Sequence, residues 1–580
     1  MPSALALLRC GATLAGFSLA SLLSAQDLDR LLPAPVPPQI PAEPEVPEPE
    51  LTSVAQLLGP RPEETIVIPE LKGIRLLSDP SQVTPRLTQM SSPIEFVGVT
   101  AMQTDAGIGL LSLALGQPVS RESLDRLLGA MRLVLAQTGA AFSIVALPPQ
   151  DVTEGYLQLV VVESVVGKVR VEGNRWFSDQ SYLARIEQTP GEPVNARGFN
   201  DGPERINANP FRRATVEVAA GAEPGTTDVI VRTRETRPVR IFASADNSGT
   251  VTTKEERFTT GFDWGNVWGL AHVLSAQWNS SWDFDTLRSV SGSYVMDLPR
   301  RHSLSLTGAY SRTNGLVAPP FALKGMSWQV SANYDIPLRA RGAYTHAWQL
   351  GLDFKASDNN FTFATIPISD NLTHVAQARA SYSGQFASGW GRSSFRATLT
   401  AAPGGLTDRN KSRYFSLSRA YSRADYVYFR GDISHALPLD SIKRGLAWSV
   451  RGQLQLANHN LIGSEQFGAG GRYSVRGYEE GEVYKDNGVL VIHELRLPPV
   501  SPRAGHTVQF YAFQDYADLW STTSLPGERG VDLHSAGVGV DYSIGNRASL
   551  RAAYGWQFTD SGNSQTGDNS RLHLSGSLSF

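Results

Sequence analysis

From Val239 to the C-terminus the chain is written as a succession of short segments that alternate apolar with polar side chains, with turns between them. In the segment from Ser303, the residues Leu304, Leu306 and Tyr310 share one face, and Ser303, Ser305 and Thr307 the other. Phe395, Ala397 and Leu399 oppose Ser394, Arg396 and Thr398; Trp448, Val450, Leu454 and Leu456 oppose Ser449, Arg451, Gln453 and Gln455. The last segment sets Leu572, Leu574, Leu578 and Phe580 against His573, Ser575, Ser577 and Ser579. About ten tilted residues cross a bilayer as a strand. An apolar row for lipid and a polar row for the lumen is what a transmembrane barrel requires. Lipid tolerates no open sheet edge, because unpaired backbone groups there find no water, so the sheet must close. About 16 such segments, at roughly 21 residues per strand and connection, fit between 239 and 580. The expected fold is an all-β membrane barrel of antiparallel strands over 238–580. A soluble sandwich or propeller also alternates, but fits less well with a secretory signal, a cysteine-free mature chain and the terminal Phe580.

Beyond the N-terminus no apolar run reaches the length of about 18 residues that a transmembrane helix needs. Residues 1–25 read as a secretory signal: Arg9 supplies a positive charge, Gly11 to Leu23 are largely apolar, and Ser24-Ala25 place cleavage before Gln26. Cys10 is the only cysteine, and Arg9 directly before it does not suit a lipoprotein acceptor. The mature chain then has no disulfide and no thiolate metal site. A net charge of −3 gives no support for a nucleic-acid partner.

Residues 26–69 form a leader rich in proline, including Pro33, Pro35, Pro37, Pro38, Pro41, Pro44, Pro47 and Pro49. Such a segment is an extended spacer. Residues 70–165 read as a small α/β unit. Gly73 to Leu77 suit a strand, and Ser120 caps a helix with Leu124, Leu127, Leu128, Met131 and Leu135 at helical spacing, ended by Gly139. Phe142 to Leu147 and Tyr156 to Val162 suit strands. Residues 166–237 repeat the scheme: strands near Val169–Val171, Ala214–Ala219 and Asp228–Thr233, helices over Ser178–Glu187 and Ala196–Asn207.

Other chemistry finds no footing. There is no His-Glu-x-x-His helix and no Gly-x-Ser-x-Gly turn. Gly468-Ala469-Gly470-Gly471 is followed by Arg472-Tyr473, where a phosphate loop needs Lys and then Ser or Thr. The acid pairs Glu63-Glu64 and Glu479-Glu480 read as solvated loops. No catalytic residue, metal or cofactor is expected.

Two motifs remain. Val475-Arg476-Gly477-Tyr478 sits in a loop between alternating segments, and Phe513-Gln514-Asp515-Tyr516-Ala517 lies on a strand. Gln509, Tyr511, Phe513 and Asp515 share one parity, Val508, Phe510 and Ala512 the other, so Asp515 should face the lumen. By spacing alone Arg476 is a solvated loop charge and Asp515 a pore-lining acid.

With these motifs the chain after the proline-rich leader resembles the outer-membrane transporters of two-partner secretion, the haemolysin-activator (TpsB; ShlB/FhaC/HecB) family. That family belongs to the superfamily of the barrel-assembly protein BamA. Further marks are Pro149-Gln150-Asp151 with Gly155 and Glu163, Gly173-Asn174 with Asn209-Pro210, and Asp246-Asn247-Ser248-Gly249 as the entry into the first barrel strand. The resemblance implies that residues 70–165 and 166–237 are paired POTRA domains in the periplasm. It implies that the loop near 462–487 is inserted in the pore and that Arg476 pairs with Asp515 as a lock. Val475, Gly477, Tyr478 and Phe513 belong to that lock, with Phe513 and Tyr478 packed about the pair. Ala517 departs from the family's usual glycine. Many members carry an N-terminal plug helix; here Asp27 to Leu32 is the one short stretch before the prolines.

The function implied is a protein-conducting pore of the bacterial outer membrane that captures a large secreted exoprotein (an adhesin, haemolysin or contact-dependent toxin) and exports it. Exposed sheet edges with Phe142, Ile144, Val216 and Val218 are candidates to bind an extended client. Phe580 and Leu578 are candidates for a C-terminal signal read by the barrel assembly machinery, and outer-membrane lipid is the remaining partner. A barrel-assembly insertase is the alternative, and more periplasmic units than two would favour it. A passive porin has no need of the periplasmic units.

Overall fold

A computed structural model describes residues 32–39 and 65–580, apart from 139, 141, 163, 224, 317–320, 364–365 and 563–568. The signal segment, most of the proline-rich leader, most of the candidate helix from Asp27 to Leu32, and Glu63-Glu64, Gly139 and Glu163 lie outside the described residues. The chain divides into two compact units, one made chiefly of residues through Arg237 and the other chiefly of those from Pro238 onward.

The N-terminal unit holds two small α/β sheets. In the first, β1 (Ile66–Ile68) pairs with β4 (Val119–Ser120), and β2 (Gly73–Leu77), β3 (Ile94–Val97), β5 (Ile144–Ala146) and β6 (Tyr156–Val162) form a sheet in the order β3-β2-β6-β5. Helices α1 (Asp105–Ala114) and α2 (Arg121–Gln137) cover it. Ser120 caps α2 in a reciprocal capping box with Ser123, at 2.9 Å and 2.8 Å. Leu127, Leu128, Met131 and Leu135 then bury against Leu76, Leu157 and Leu159. Ile68 belongs to the same core, so packing begins ahead of residue 70, and α1 is an element that the sequence pattern did not reveal.

The Pro149-Gln150-Asp151 run acts through its amides. The Gln150 side chain donates to the Gln158 carbonyl at 2.6 Å and accepts from its N–H at 2.7 Å, continuing the pairing along β6 beyond the end of β5. Gly155 has φ +87° and lies so close to Glu70 that a Cβ would meet its carbonyl oxygen at 2.7 Å.

The second sheet has the order β7-β9-β8, from β7 (Val165–Glu172), β8 (Arg212–Ala220) and β9 (Thr226–Glu235). Helices α3 (Asp179–Ile186) and α4 (Ala196–Asn207) intervene, giving β-α-α-β-β. The Glu235 carboxylate gathers the turn ahead of α3, accepting from Arg175 N–H at 2.8 Å and the Tyr182 hydroxyl at 2.5 Å.

The other unit is a closed barrel. Its strands are β10 (Val239–Asp246), β11 (Arg257–Val267), β12 (His272–Ser281), β13 (Leu287–Asp297), β14 (Ser303–Gly315), β15 (Phe321–Pro337), β16 (Tyr344–Phe363) and β17 (Ile366–Ser388). They continue with β18 (Gly391–Pro403), β19 (Asp425–Pro438), β20 (Ala447–Ala457), β23 (Asn487–Arg496), β24 (His506–Trp520), β25 (Val531–Ile544), β26 (Ala548–Gln557) and β27 (Ser570–Ser579). Every neighbouring pair is antiparallel, and β10 pairs with β27 to close the ring. The intervening β21 (Phe467–Ala469) and β22 (Val483–Lys485) form a separate hairpin in the loop between β20 and β23. No helix among the described residues is long and apolar enough to cross a membrane.

At the seam, Ile241 and Phe580 exchange backbone bonds at 3.0 and 2.8 Å. Asp246-Asn247-Ser248-Gly249 sits at the far end of β10, not at its entry. Asn247 there extends the pairing with its side chain, donating to Leu572 O at 2.7 Å and accepting from Leu574 N at 2.8 Å. The Asp246 carboxylate accepts from Ser248 N–H at 2.9 Å, which turns the chain out of the strand.

Candidate functional site

The loop joining β20 to β23 leaves the strand after Ala457 and returns at Asn487. Its hairpin β21–β22 is followed inward by Gly470 and Gly471, whose φ values of +101° and +99° let the backbone double back. The Glu480 carboxylate then accepts from Arg472 N–H at 2.6 Å. Glu479 and Glu480 are therefore buried rather than solvated, because the loop is folded inside the barrel.

That fold delivers Arg476 to β24. Its Nε and Nη2 donate to the two oxygens of Asp515 at 2.8 and 2.7 Å, and its own backbone N–H adds a third bond at 3.0 Å. Asp515 is fully buried in the lumen-facing row, as its parity with Tyr511 and Phe513 requires. Nη1 reaches a second carboxylate, Glu494 on β23, at 2.6 Å. The Phe513 ring lies 3.7 Å from the guanidinium carbon. A planar fork pairs with one carboxylate and still reaches another, where a lysine would present a single point charge.

The neighbours of Arg476 fix the loop backbone. Gly477 has φ +97°; its N–H donates to His573 Nε2 at 3.1 Å and its carbonyl accepts from Gln557 at 2.7 Å. Tyr478 is buried, but its hydroxyl is engaged away from the ion pair, donating to the Thr559 carbonyl at 2.6 Å. It anchors the loop toward β25 and β26, while Phe513 alone of the two aromatic residues stacks on the guanidinium. Val475 packs with Tyr478, Leu490, Ala517 and Leu533. At Ala517 the methyl group is fully buried in that cluster, so the departure from glycine adds packing to the loop contact.

Charges alternate away from the Arg476–Asp515 pair. Glu494 also accepts from Arg496 at 2.8 Å, Arg496 donates to Asp541 at 2.9 Å, and Arg551 to Asp541 at 2.6 Å. A second anchor holds the base of the loop: buried Asp486 pairs with Arg419 and accepts from Leu461 N–H at 2.7 Å and Thr522 N–H at 3.0 Å. Lys355 and Glu465 form a further buried pair at 3.0 Å. Sequence reasoning missed Glu494, Gln557, His573 and Asp486. Glu494, Gln557 and His573 share the signal of a polar residue in the lumen parity, which many other positions also carry, and Asp486 lies between β22 and β23.

The other candidates fall as follows. Ile144 lies on β5 and Val216 and Val218 on β8, each an edge strand of its sheet. Phe142 precedes β5 and packs on Phe199 with ring centroids 4.7 Å apart, so its ring is already engaged. Leu578 and Phe580 lie at the seam with exposed side chains. Among the described residues no group of three or more His, Cys, Asp or Glu side chains is placed to hold a metal.

The family model of the haemolysin secretion/activation proteins ShlB/FhaC/HecB matches residues 225–542, and that of the ShlB-type POTRA domain matches 91–164. The chain belongs to the haemolysin secretion/activation family. Like its family, this ShlB/FhaC/HecB-type chain is an outer-membrane transporter of two-partner secretion, with POTRA domains in the periplasm. It is 22% identical over 444 residues to the outer membrane transporter CdiB-2 of Burkholderia pseudomallei, covering 74% of this chain and 73% of that one. It is 21% identical over 467 residues to the heme/hemopexin transporter protein HuxB of Haemophilus influenzae, covering 76% and 78%. Among solved structures, CdiB from Escherichia coli superposes with a TM-score of 0.72 at 18% identity, covering 98% of each chain. BamA from Haemophilus ducreyi lacking POTRA domains 1–3 gives 0.50 at 16% identity, covering 83% of this chain and 98% of that one. These structures share the fold.

Proposed function

We propose that this transporter exports one large secreted exoprotein, of adhesin, haemolysin or contact-dependent toxin type, and that the Arg476–Asp515 pair holds the pore loop in the state from which export starts. The observation that carries this reading is the bidentate, fully buried pairing of a loop arginine with a wall carboxylate inside a barrel. A passive pore needs no such fastening. Removing one member of a buried pair typically costs about 3–5 kcal/mol, enough to set which loop position predominates.

Residues 70–165 and 166–237 act as two POTRA domains that receive the client in extended form. The edges β5 and β8 offer unpaired backbone groups, with Ile144 and Val218 exposed beside them, so a client segment adds as a further strand. The client then passes through the lumen as the loop shifts, and its folding outside the cell gives the direction. No catalytic step is assigned to the chain. Phe580 and Leu578 at the seam serve as the signal for the assembly machinery, and lipid surrounds the barrel.

The test is co-expression with a candidate large exoprotein from the same genome, in a host with an outer membrane. Appearance of that protein in the medium only with the intact chain supports export. Failure to export, with altered amounts of other barrels in the membrane, would favour the assembly function instead.

A further inference from the structure

The outward wall of β23 to β27 carries a groove of about 580 Å³. It is lined on its open side by Phe510, Ala512, Val538, Val540, Ala552 and Tyr554. Its origin is a mismatch of side-chain size between paired strands. Ala512 stands between Leu495 and Val538, and Ala552 beside Val540, so two small residues leave a trough flanked by Phe510 and Tyr554. The opposite kind of wall occurs on β16, where Trp348, Leu350 and Leu352 all project outward. The trough has a closed floor: Tyr511 and Ala553, on the lumen-facing parity, fill the gap beside Gly539.

The foot of the groove is polar and basic. Along β24 the outward row runs Ala512, Phe510, Val508, His506, and along β25 it runs Val538, Val540, Tyr542. His506 Nδ1 and the Tyr542 hydroxyl lie 2.7 Å apart. When Nδ1 accepts from the tyrosine, the ring proton sits on Nε2, a donor suited to a phosphate oxygen. The two turns below are tied by Gly545 N–H to Gly505 O at 2.8 Å, and they carry exposed Arg503 and Arg547. The first barrel strand follows the periplasmic domains, and strand alternation puts these turns at the same end as its start. They therefore meet the inner leaflet. His–Tyr pairs recur around this rim at His272–Tyr294, His302–Tyr334 and His346–Tyr382, a headgroup-level girdle.

We propose that this face binds one anionic glycerophospholipid of the inner leaflet, with an acyl chain in the groove and the headgroup phosphate at His506, Arg503 and Arg547. An apolar channel open to the bilayer, with two exposed arginines in the turns below it at headgroup depth, matches a lipid in both halves. A second barrel would bring a broad apolar wall without the anion.

The test uses the full chain in nanodiscs containing phosphatidylglycerol with a photoactivatable acyl chain, and mass spectrometry of the adducts. Adducts are expected to concentrate on Phe510–Ala512 and Val538–Val540. Ala512→Leu with Ala552→Leu should lower them about tenfold, the equivalent of losing about two buried methylenes. Arg503→Ser with Arg547→Ser should lower them as well while leaving the groove intact, and decides the matter if the filled variant does not insert. Heat-modifiable migration verifies the barrel in each. Soluble glycerol 3-phosphate should not compete. Equal labelling of the Trp348–Leu352 wall, unchanged labelling in both variants, competition by glycerol 3-phosphate, or adducts joining two barrels would each overturn the proposal.

Discussion

Gly477 of the pore loop and Gly555 of β26 meet backbone to backbone: a Cβ on Gly555 would lie 2.7 Å from the Gly477 nitrogen, and one on Gly477 3.0 Å from the Gly555 carbonyl carbon. The guanidinium reaches Asp515 because the loop can lie this close to the wall.

Gly555→Ala is accordingly expected to push the loop off β26 by crowding the backbone of Arg476 and Gly477, while both side chains of the ion pair stay as they are. Gly477→Ala adds the strain of φ +97°, of order 1–3 kcal/mol. Limited proteolysis of the loop should quicken in both variants, and exoprotein in the medium should fall. A Gly555→Ala protein with wild-type protection would show that the close approach is dispensable.

Client capture by strand addition predicts sensitivity at the edges. Ile144→Lys and Val218→Lys place charges at exposed positions beside β5 and β8. Cross-linking of an exoprotein fragment to the periplasmic domains should drop several-fold, the loss of roughly 1 kcal/mol or more of contact. Barrel content of the membrane should stay constant. Undiminished cross-linking in the double variant would argue against these edges.

The folded POTRA region carries a pH-dependent element in Glu95. Its carboxyl is held down at about 2 by the Ser91 hydroxyl, with the Ser91 N–H and Arg75 adding to the effect. A carboxylate depressed on folding contributes stability that is present in full above its ordinary value of 4.5 and is lost as pH falls toward 2. Thermal unfolding of the full chain followed at a periplasmic reporter should lose stability across that window, and Glu95→Gln should flatten the loss. An identical slope in wild type and variant would assign the acid sensitivity elsewhere.

Much of the barrel was legible because lipid forces a period of two on every strand, as in β18 and β27. The parity of Asp515 followed from the same rule. The loop's destination did not, because its partners are distant in sequence: Glu494 lies 18 residues from Arg476, and His573 lies 96 from Gly477. A lumen histidine that receives a loop N–H carries the same sequence signature as one facing water. Glu479 and Glu480 were misjudged for the same reason: acids next to glycine suggest a wet turn, and here the turn lies inside a barrel. In the periplasmic domains, α1 was hidden because Asp105–Ala114 carries two glycines and reads as a weak helix former.

The most direct measurement is secretion of the exoprotein client by wild type, Arg476→Ala, Asp515→Ala and the double variant, at matched barrel content of the membrane. The lock predicts strong loss of export in each single variant. It also predicts a double variant no worse than the singles, because the two residues act through one contact. Undiminished secretion in both single variants would contradict the account.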